Sequence, residues 1–342
     1  MPEGAGHRGR IGAALRLLLA AALLAWLLSR VNLADVRAAL GGAAARWPWA
    51  LAGLALALAA LLASQLRWMV ILRAEALPVS FGAAFSIFFT GQFFNAFLLG
   101  ACGGDLARAW LIAVRHPGRR AAAAASVFAD RAIGLAVMLV LSAALLAFRL
   151  SAVTAHAGGR RAVGSLVVLL AAAAAGIGLF ARNVFERWPW LARLEARWSA
   201  VRPVRRLYEA LYVYRGRARL LPPTIFCSAL VLLCVTASAA CLGEALGMEA
   251  SPLDYLVFIP LINIGTAMPL TPGGIGVREA LFTGLFAAVG VPPHLAILLS
   301  LSVTLVNLVW SAAGGVVFLA ATGAATRRDL LRARMENGAA SA

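Results

Sequence analysis

Two glycine-rich runs that each end in an arginine are the part of this sequence best suited to bind a charged ligand. They share glycines and the arginine at the same spacing and read Gly103-Gly104-Asp105-Leu106-Ala107-Arg108 and Gly273-Gly274-Ile275-Gly276-Val277-Arg278. Arginine presents a planar fork of donors that matches a phosphate, and backbone N–H groups left open at a helix start add further donors. The two runs therefore predict contacts to an anionic group, with Arg108 and Arg278 as its ligands.

The composition predicts that these runs lie in a membrane. Hydrophobic residues make up 62% of the chain and charged residues 13%. Apolar runs of about 20 residues, the length that crosses a bilayer as a helix, recur along it. The net charge of +17 comes entirely from arginines, and most of these lie between or beside the apolar runs, where they indicate topology. Nucleic acid is a weaker explanation of this charge, because no soluble basic domain presents the arginines.

The apolar runs predict six full spans and two re-entrant helical hairpins. The spans are residues 11–28, 47–72, 121–148, 162–181, 222–246 and 294–322. Residues 81–114 are too few for two spans with a turn and precede cytoplasm-preferring arginines, so they predict a hairpin that enters from the cytoplasm. Residues 253–289 hold the second glycine-rich run and lie between acidic residues and a Pro-Pro turn, which predicts a hairpin entering from outside.

This topology predicts an all-α polytopic membrane protein, residues 1–342 forming one integral membrane domain with two inverted repeats. The first repeat covers residues 11–149 and the second residues 162–322, and both termini are cytoplasmic. Each repeat contains a span, a span, a hairpin and a span, but the two begin on opposite sides. Residues 182–219 form an arginine-rich cytoplasmic linker, either a simple connection or an amphipathic helix on anionic headgroups. A bundle of eight ordinary helices is the alternative fold.

The charges predicted to lie inside the membrane number three of each sign. They are Asp105, Arg108, Asp130, Arg131, Arg278 and Glu279. An unpaired charge at membrane depth is costly, so these residues are expected to pair with one another and to be neutral as a set. Asp130 and Arg131 are open to a structural or a functional role, whereas Arg108 and Arg278 are predicted to bind the ligand.

Asparagines, glycines and a proline complete the candidate site. Asn95 and Asn263 precede the two breaks and either satisfy backbone groups of the broken helices or contact the ligand. Pro272 is expected to end the incoming half-helix. The remaining candidates are glycines expected to serve conformation and close packing, with any ligand contact through the backbone: Gly103, Gly104, Gly273, Gly274 and Gly276.

Four ordered motifs carry a resemblance to a known family. They are Gly91-Gln92-Phe93-Phe94-Asn95, Gly103-Gly104-Asp105-Leu106-Ala107-Arg108-Ala109, Phe128-Ala129-Asp130-Arg131-Ala132-Ile133-Gly134-Leu135 and Pro272-Gly273-Gly274-Ile275-Gly276-Val277-Arg278-Glu279. This set resembles the flippase-like membrane family, which is related to the transmembrane region of lysylphosphatidylglycerol synthases. The resemblance covers nearly the whole chain, with Leu98-Leu99-Gly100 standing where the family often has Leu-Pro-Gly. It implies lipid handling or translocation, and we expect a stand-alone protein without the soluble aminoacyl-transferring domain.

The predicted function is translocation of an anionic phospholipid or a lipid-linked intermediate, such as a polyprenyl lipid or glycolipid, between leaflets by alternating access. The predicted location is the cytoplasmic membrane of a bacterium. No HExxH, Walker A or GxSxG motif occurs, so we predict no enzyme activity, cofactor, metal or nucleic-acid partner. One alternative is a membrane enzyme of lipid or glycolipid transfer, with Asp105, Asp130 or Glu279 as acid, base or metal ligand. The other is a non-catalytic scaffold for lipid-synthesis enzymes.

Overall fold

A computed structural model of the protein describes residues 41–97, 103–147, 218–267 and 276–339, with isolated positions between residues 160 and 171. Regular structure in these ranges is helical, which confirms the predicted all-α fold. The helices that build it are α1 (Trp47–Ala74), α2 (Phe81–Phe97), α3 (Gly103–Arg115), α4 (Arg120–Ala147), α5 (Leu221–Leu246), α6 (Pro252–Ala267), α7 (Val277–Phe286) and α8 (Pro293–Ala339). Short 3-10 turns precede α4 and α5 and follow α7.

Four helical stretches in the described part are long and apolar enough to cross a membrane. They are Trp47–Ala74, Pro117–Ala147, Leu221–Leu246 and Pro293–Ala320. They confirm four of the predicted spans, whereas the predicted spans at residues 11–28 and 162–181 lie outside the fully described ranges. The last helix continues past residue 322, the predicted end of its span, to Ala339. Beyond residue 322 charged residues interrupt the apolar sequence. Many alanines, leucines and arginines occur there, and these residue types favour a helix even without a continuous apolar run.

The helices α2 and α3 form the first hairpin, which enters and leaves at one end of the bundle. They contain 17 and 13 residues, and at about 1.5 Å per residue neither reaches the roughly 30 Å of a hydrocarbon core. Arg119, just before α4, donates a hydrogen bond of 2.9 Å to the carbonyl of Ala76, just after α1. The residues on either side of the hairpin are therefore neighbours. We call this end of the bundle the Ala76 end.

The helices α6 and α7 form the second hairpin, with 16 and 10 residues. The ring of Tyr255, near the start of α6, lies 5.3 Å from that of Phe286, the last residue of α7. Phe258 also packs against Phe286, at 5.2 Å between ring centroids. The first turn of α6 contacts the last turn of α7. The second hairpin therefore also begins and ends at one and the same end of the bundle.

The two halves of the described chain pack with matching partners and run in opposite directions. Gly53 accepts a hydrogen bond of 2.7 Å from Ser238, and Arg67 donates one of 3.0 Å to Ser228, so α1 and α5 are antiparallel. The first hairpin packs through α2 on α8, and the second packs through α6 on α4. This exchange of partners, together with the antiparallel packing of α1 and α5, is the arrangement expected of an inverted repeat, which stays a prediction. The repeat boundaries at residues 11–149 and 162–322 and the linker at 182–219 stay predictions.

The course of the first hairpin gives a labelling prediction. In a background with the four native cysteines changed to serine, Ala83→Cys and Arg119→Cys should both react with a membrane-impermeant maleimide from the same side. Both positions flank a segment that does not cross the membrane. Glu249→Cys, in the exposed loop between α5 and α6, is the matched control and should react from the opposite side. Labelling of positions 83 and 119 from opposite sides would contradict the re-entrant hairpin.

Candidate functional site

Five charged side chains from α1, α3 and α4 form a continuous series of ion pairs, which we call the charge chain. In order its members are Arg67, Asp130, Arg108, Asp105 and Arg131. The successive N–O distances are 2.8, 3.3, 3.5 and 2.7 Å. The charges of the first half therefore pair with one another, and the series holds the first hairpin against the helices on either side of it.

Arg67 is the one member of the charge chain that is not among the site residues predicted from the sequence. Its side chain is 8% exposed and also donates to Ser228 on α5 at 3.0 Å. The signal in the sequence was an arginine placed two turns inside an apolar helix. With Arg67 included, the charge chain has three arginines and two aspartates, so it carries a net charge of +1 where the paired charges were expected to cancel.

Arg108 occupies the centre of the charge chain and lies against two aromatic rings. Its guanidinium carbon lies 4.2 Å from the ring centroid of Trp68 and 4.7 Å from that of Phe88. Its side chain is 5% exposed. Gly91 leaves the space for it, because a methyl group there would meet the Arg108 side chain at 2.6 Å. Arg108 is therefore held by carboxylates and rings, an arrangement that stabilises a buried cation without a ligand.

The tip of the first hairpin is closed by Asn95 and two glycines. The side-chain oxygen of Asn95 accepts a hydrogen bond of 2.8 Å from the backbone N–H of Gly104, in the first turn of α3. A methyl group at Gly104 would overlap the Gly91 carbonyl oxygen, so the two limbs approach at backbone distance. Gly103 begins α3. The sequence left Asn95 open either to satisfy backbone groups or to contact the ligand. In this structure it satisfies a backbone N–H group.

The tip of the second hairpin is held by Gly276 and Glu279. Gly276 has φ 81°, a conformation that favours glycine, and caps α7. Glu279 accepts a hydrogen bond of 2.6 Å from the Gly276 N–H and one of 3.0 Å from the hydroxyl of Ser300 on α8. The Glu279 carboxylate thus caps its own helix and ties it to α8. The predicted site residues Pro272, Gly273 and Gly274 lie outside the described residues.

A cavity of about 170 Å³ lies beside this second tip, and we call it the Arg278 cavity. Its walls are mainly apolar side chains, to which Asn263, Arg278 and Asn307 add polar groups from α6, α7 and α8. The Arg278 guanidinium donates a hydrogen bond of 2.7 Å to Thr304. Asn307 is exposed, so one rim of the cavity reaches the surface of the bundle. The structure thus places two of the predicted site residues, Arg278 and Asn263, on the walls of one cavity.

The two equivalent arginines have different surroundings. Arg108 is buried and lies within 3.5 Å of two carboxylates, whereas Arg278 lines a cavity and donates a hydrogen bond to the Thr304 hydroxyl. A guanidinium that faces a largely apolar chamber offers donors in a weakly solvated environment, where an anion is attracted strongly. The Arg278 cavity is therefore the part of the described chain best suited to bind a phosphate.

Comparison with known proteins gives one match. A family model described as Lysylphosphatidylglycerol synthase TM region matches residues 13–315. No curated protein and no solved structure matches the chain. The matched residues include both hairpins, the charge chain and the Arg278 cavity, so the candidate site lies entirely within the part of the chain that this family model covers.

Proposed function

Because the chain belongs to the family of the lysylphosphatidylglycerol synthase TM region, which relates it to membrane lipids, we propose that it moves an anionic lipid between leaflets. The lipid is an anionic phospholipid or a lipid-linked intermediate. The Arg278 cavity carries this proposal, because it places a guanidinium, two amides and the Ser238 hydroxyl among apolar walls beside a re-entrant tip. Broken helices at corresponding places of two inverted halves are typical of transporter binding sites.

The size and opening of the Arg278 cavity support a lipid headgroup as its occupant. About 170 Å³ holds a phosphate with a small substituent but not a pair of acyl chains. Asn307 is exposed at the rim, so acyl chains can remain outside among the membrane lipids while the phosphate binds Arg278. Under this proposal the guanidinium binds the phosphate, and the amides of Asn263 and Asn307 bind headgroup hydroxyls.

The inverted halves support alternating access as the mechanism. In this structure the Arg278 side has a cavity, whereas the equivalent Arg108 is enclosed by Trp68, Phe88 and two carboxylates. If the first half took the conformation that the second half has here, and the second half took that of the first, a site would open at Arg108 and the Arg278 cavity would close. The phosphate would then pass from one arginine to the other. Asp105 and Asp130 would neutralise Arg108 whenever lipid is absent from it.

The proposal extends to the membrane that holds the protein. Arginines lie mainly in the segments predicted to be cytoplasmic, which supports a bacterial cytoplasmic membrane with both termini inside. Enzymes that make or consume the lipid are the expected partners. The enzyme alternative would require Asp105, Asp130 or Glu279 as a reacting group, and in this conformation each of these carboxylates is engaged in an ion pair or a helix cap.

Reconstitution into liposomes tests the proposal. Vesicles containing fluorescently labelled phosphatidylglycerol should lose more fluorescence to dithionite than the outer leaflet alone holds, because the protein exposes inner-leaflet lipid. Protein-free vesicles and vesicles with labelled phosphatidylcholine are the controls. Chemically altered lipid in the mass spectrum of the recovered vesicles would instead favour the enzyme. Unmodified lipid that stays in its leaflet, across the anionic lipids tried, would contradict translocation and favour the scaffold.

A further inference from the structure

Arg131 is a charged side chain exposed at membrane depth on the outside of the bundle. It lies eleven residues beyond the start of α4 at Arg120, about 16 Å along the helix axis, well inside an apolar span. Its side chain is 50% exposed, whereas the other members of the charge chain are between 2% and 14% exposed. The charge chain therefore begins among buried side chains and ends at an exposed surface of the described helices.

The surroundings of Arg131 are apolar and exposed. Leu106 and Trp110 on α3 are 61% and 65% exposed, and Phe128 and Leu135 on α4 are 45% and 38% exposed. Phe128 and Leu135 lie three and four positions from Arg131 and share its face of α4, whereas Leu106 and Trp110 share a face of α3, the helix whose Asp105 pairs with Arg131. A guanidinium in an apolar surface needs a counter-ion, since an unpaired charge at this depth is costly. Asp105 neutralises the charge of Arg131 only in part, because the same carboxylate also pairs with Arg108.

The charge of the series and the direction of the side chain indicate which counter-ion is missing. Three arginines and two aspartates leave one positive charge, which matches the single negative charge of a phosphodiester. Side chains on a helix lean toward its N-terminus, and the N-terminus of α4 lies at the Ala76 end. The Cβ of Arg131 is therefore tilted toward the leaflet at that end, while its Nε donates a hydrogen bond of 2.7 Å to Asp105, and long cationic side chains near an interface extend toward the headgroups.

We propose that Arg131 binds the phosphate of one anionic phospholipid laterally, from the leaflet at the Ala76 end. The acyl chains lie against Leu106, Trp110, Phe128 and Leu135. An anionic lipid fits better than a zwitterionic one, because only a net negative charge offsets the excess positive charge of the series. This site goes beyond the proposed function, since it lies on the outer surface of the first hairpin, separate from the Arg278 cavity, and does not depend on translocation.

Native mass spectrometry of the purified protein, titrated with phosphatidylglycerol, tests this site. In an Arg278→Ala background, which lacks the other proposed phosphate ligand, Arg131→Gln should weaken phosphatidylglycerol binding about tenfold, the loss expected for one charge-assisted contact. Asp105→Asn should preserve or strengthen binding, because it removes the carboxylate that competes for Arg131. Arg120→Gln is the matched control, because Arg120 is exposed on nearly the same face of α4, three turns nearer the interface, and should leave affinity within about twofold.

Several outcomes would overturn the lateral site. Parental affinity in Arg131→Gln would do so, as would equal losses in Arg131→Gln and Arg120→Gln, which would indicate general attraction to a basic protein. Displacement of the lipid by millimolar glycerol phosphate would contradict the role of the acyl chains. If Arg131→Gln folds poorly, the double variant Asp105→Asn, Arg131→Gln removes the carboxylate that lost its partner, returns the net charge of the series to the parental +1, and should still lose the binding. Translocation measured on the same variants is a separate readout, so loss of this site leaves the assignment of Arg278 testable on its own.

Discussion

Replacing Arg278 with alanine should nearly abolish lipid translocation while the protein remains in the membrane. The change removes the guanidinium that lines the cavity and donates to Thr304, so a phosphate would lose its charged partner. A charge-assisted contact of this kind corresponds to a reduction of about tenfold to a hundredfold in rate. Arg278→Lys keeps the charge without the planar fork and should slow translocation by a smaller factor. The liposome assay with labelled phosphatidylglycerol measures both variants.

Two companion variants separate phosphate binding from folding. Thr304→Val keeps Arg278 but removes the hydroxyl that orients it, and should give an intermediate rate. Arg108→Ala should also lose translocation if the phosphate passes between equivalent arginines, although Arg108 is buried in this conformation. If Arg278→Ala and Arg108→Ala are present at normal levels and move lipid at the parental rate, the phosphate relay is wrong and both arginines are structural.

Replacing Asp130 with alanine should destabilise the protein by about 3 kcal/mol or more, the usual consequence of removing one partner of a buried ion pair. Asp130 is 2% exposed and lies between Arg67, at 2.8 Å, and Arg108, at 3.3 Å, so its loss leaves two buried cations short of a counter-ion. The loss should be measured as reduced abundance in membranes and as earlier unfolding in sodium dodecyl sulfate titrations. Glu249→Ala, at an exposed carboxylate, should change stability by less than about 0.5 kcal/mol.

A second change tests the cause of this destabilisation. The double variant Asp130→Ala, Arg67→Met removes the nearest orphaned cation and should recover much of the lost stability, because Arg108 retains Asp105. A double variant no more stable than Asp130→Ala would show that the carboxylate acts through something other than this pair. Normal abundance with lost translocation in Asp130→Asn would place Asp130 in the transport step.

Within the described chain, hydropathy and backbone chemistry were sufficient to locate the helices. The spans beginning at Trp47 and Leu221 match their predicted starts within one residue, because a run of apolar residues long enough to cross a bilayer is a local property. Both hairpins were also predictable, because glycine clusters followed by charged residues weaken a helix inside an apolar segment. The end of α8 was not predictable from hydropathy, because residues that favour a helix continue it beyond the apolar residues.

The tertiary structure decided the different surroundings of the two equivalent arginines. Asp105 and Arg108 are three residues apart on one helix, so their pairing was within reach of the sequence. Arg67, Trp68 and Phe88 approach Arg108 from helices whose contacts depend on how the first hairpin packs against α1. Sequence spacing gives no distance between residues on different helices. Those distances determine which groups surround each arginine.

The sequence by itself determined that this chain is helical, membrane-spanning and built with two glycine-rich breaks, each followed by an arginine, because these properties depend on residues close together in the chain. Only the tertiary structure decided that Arg278 lines a cavity, that Arg108 lies in ion pairs and that Arg131 faces outward. These properties depend on which helices pack together, since burial and charge pairing at membrane depth involve residues that are distant in the sequence.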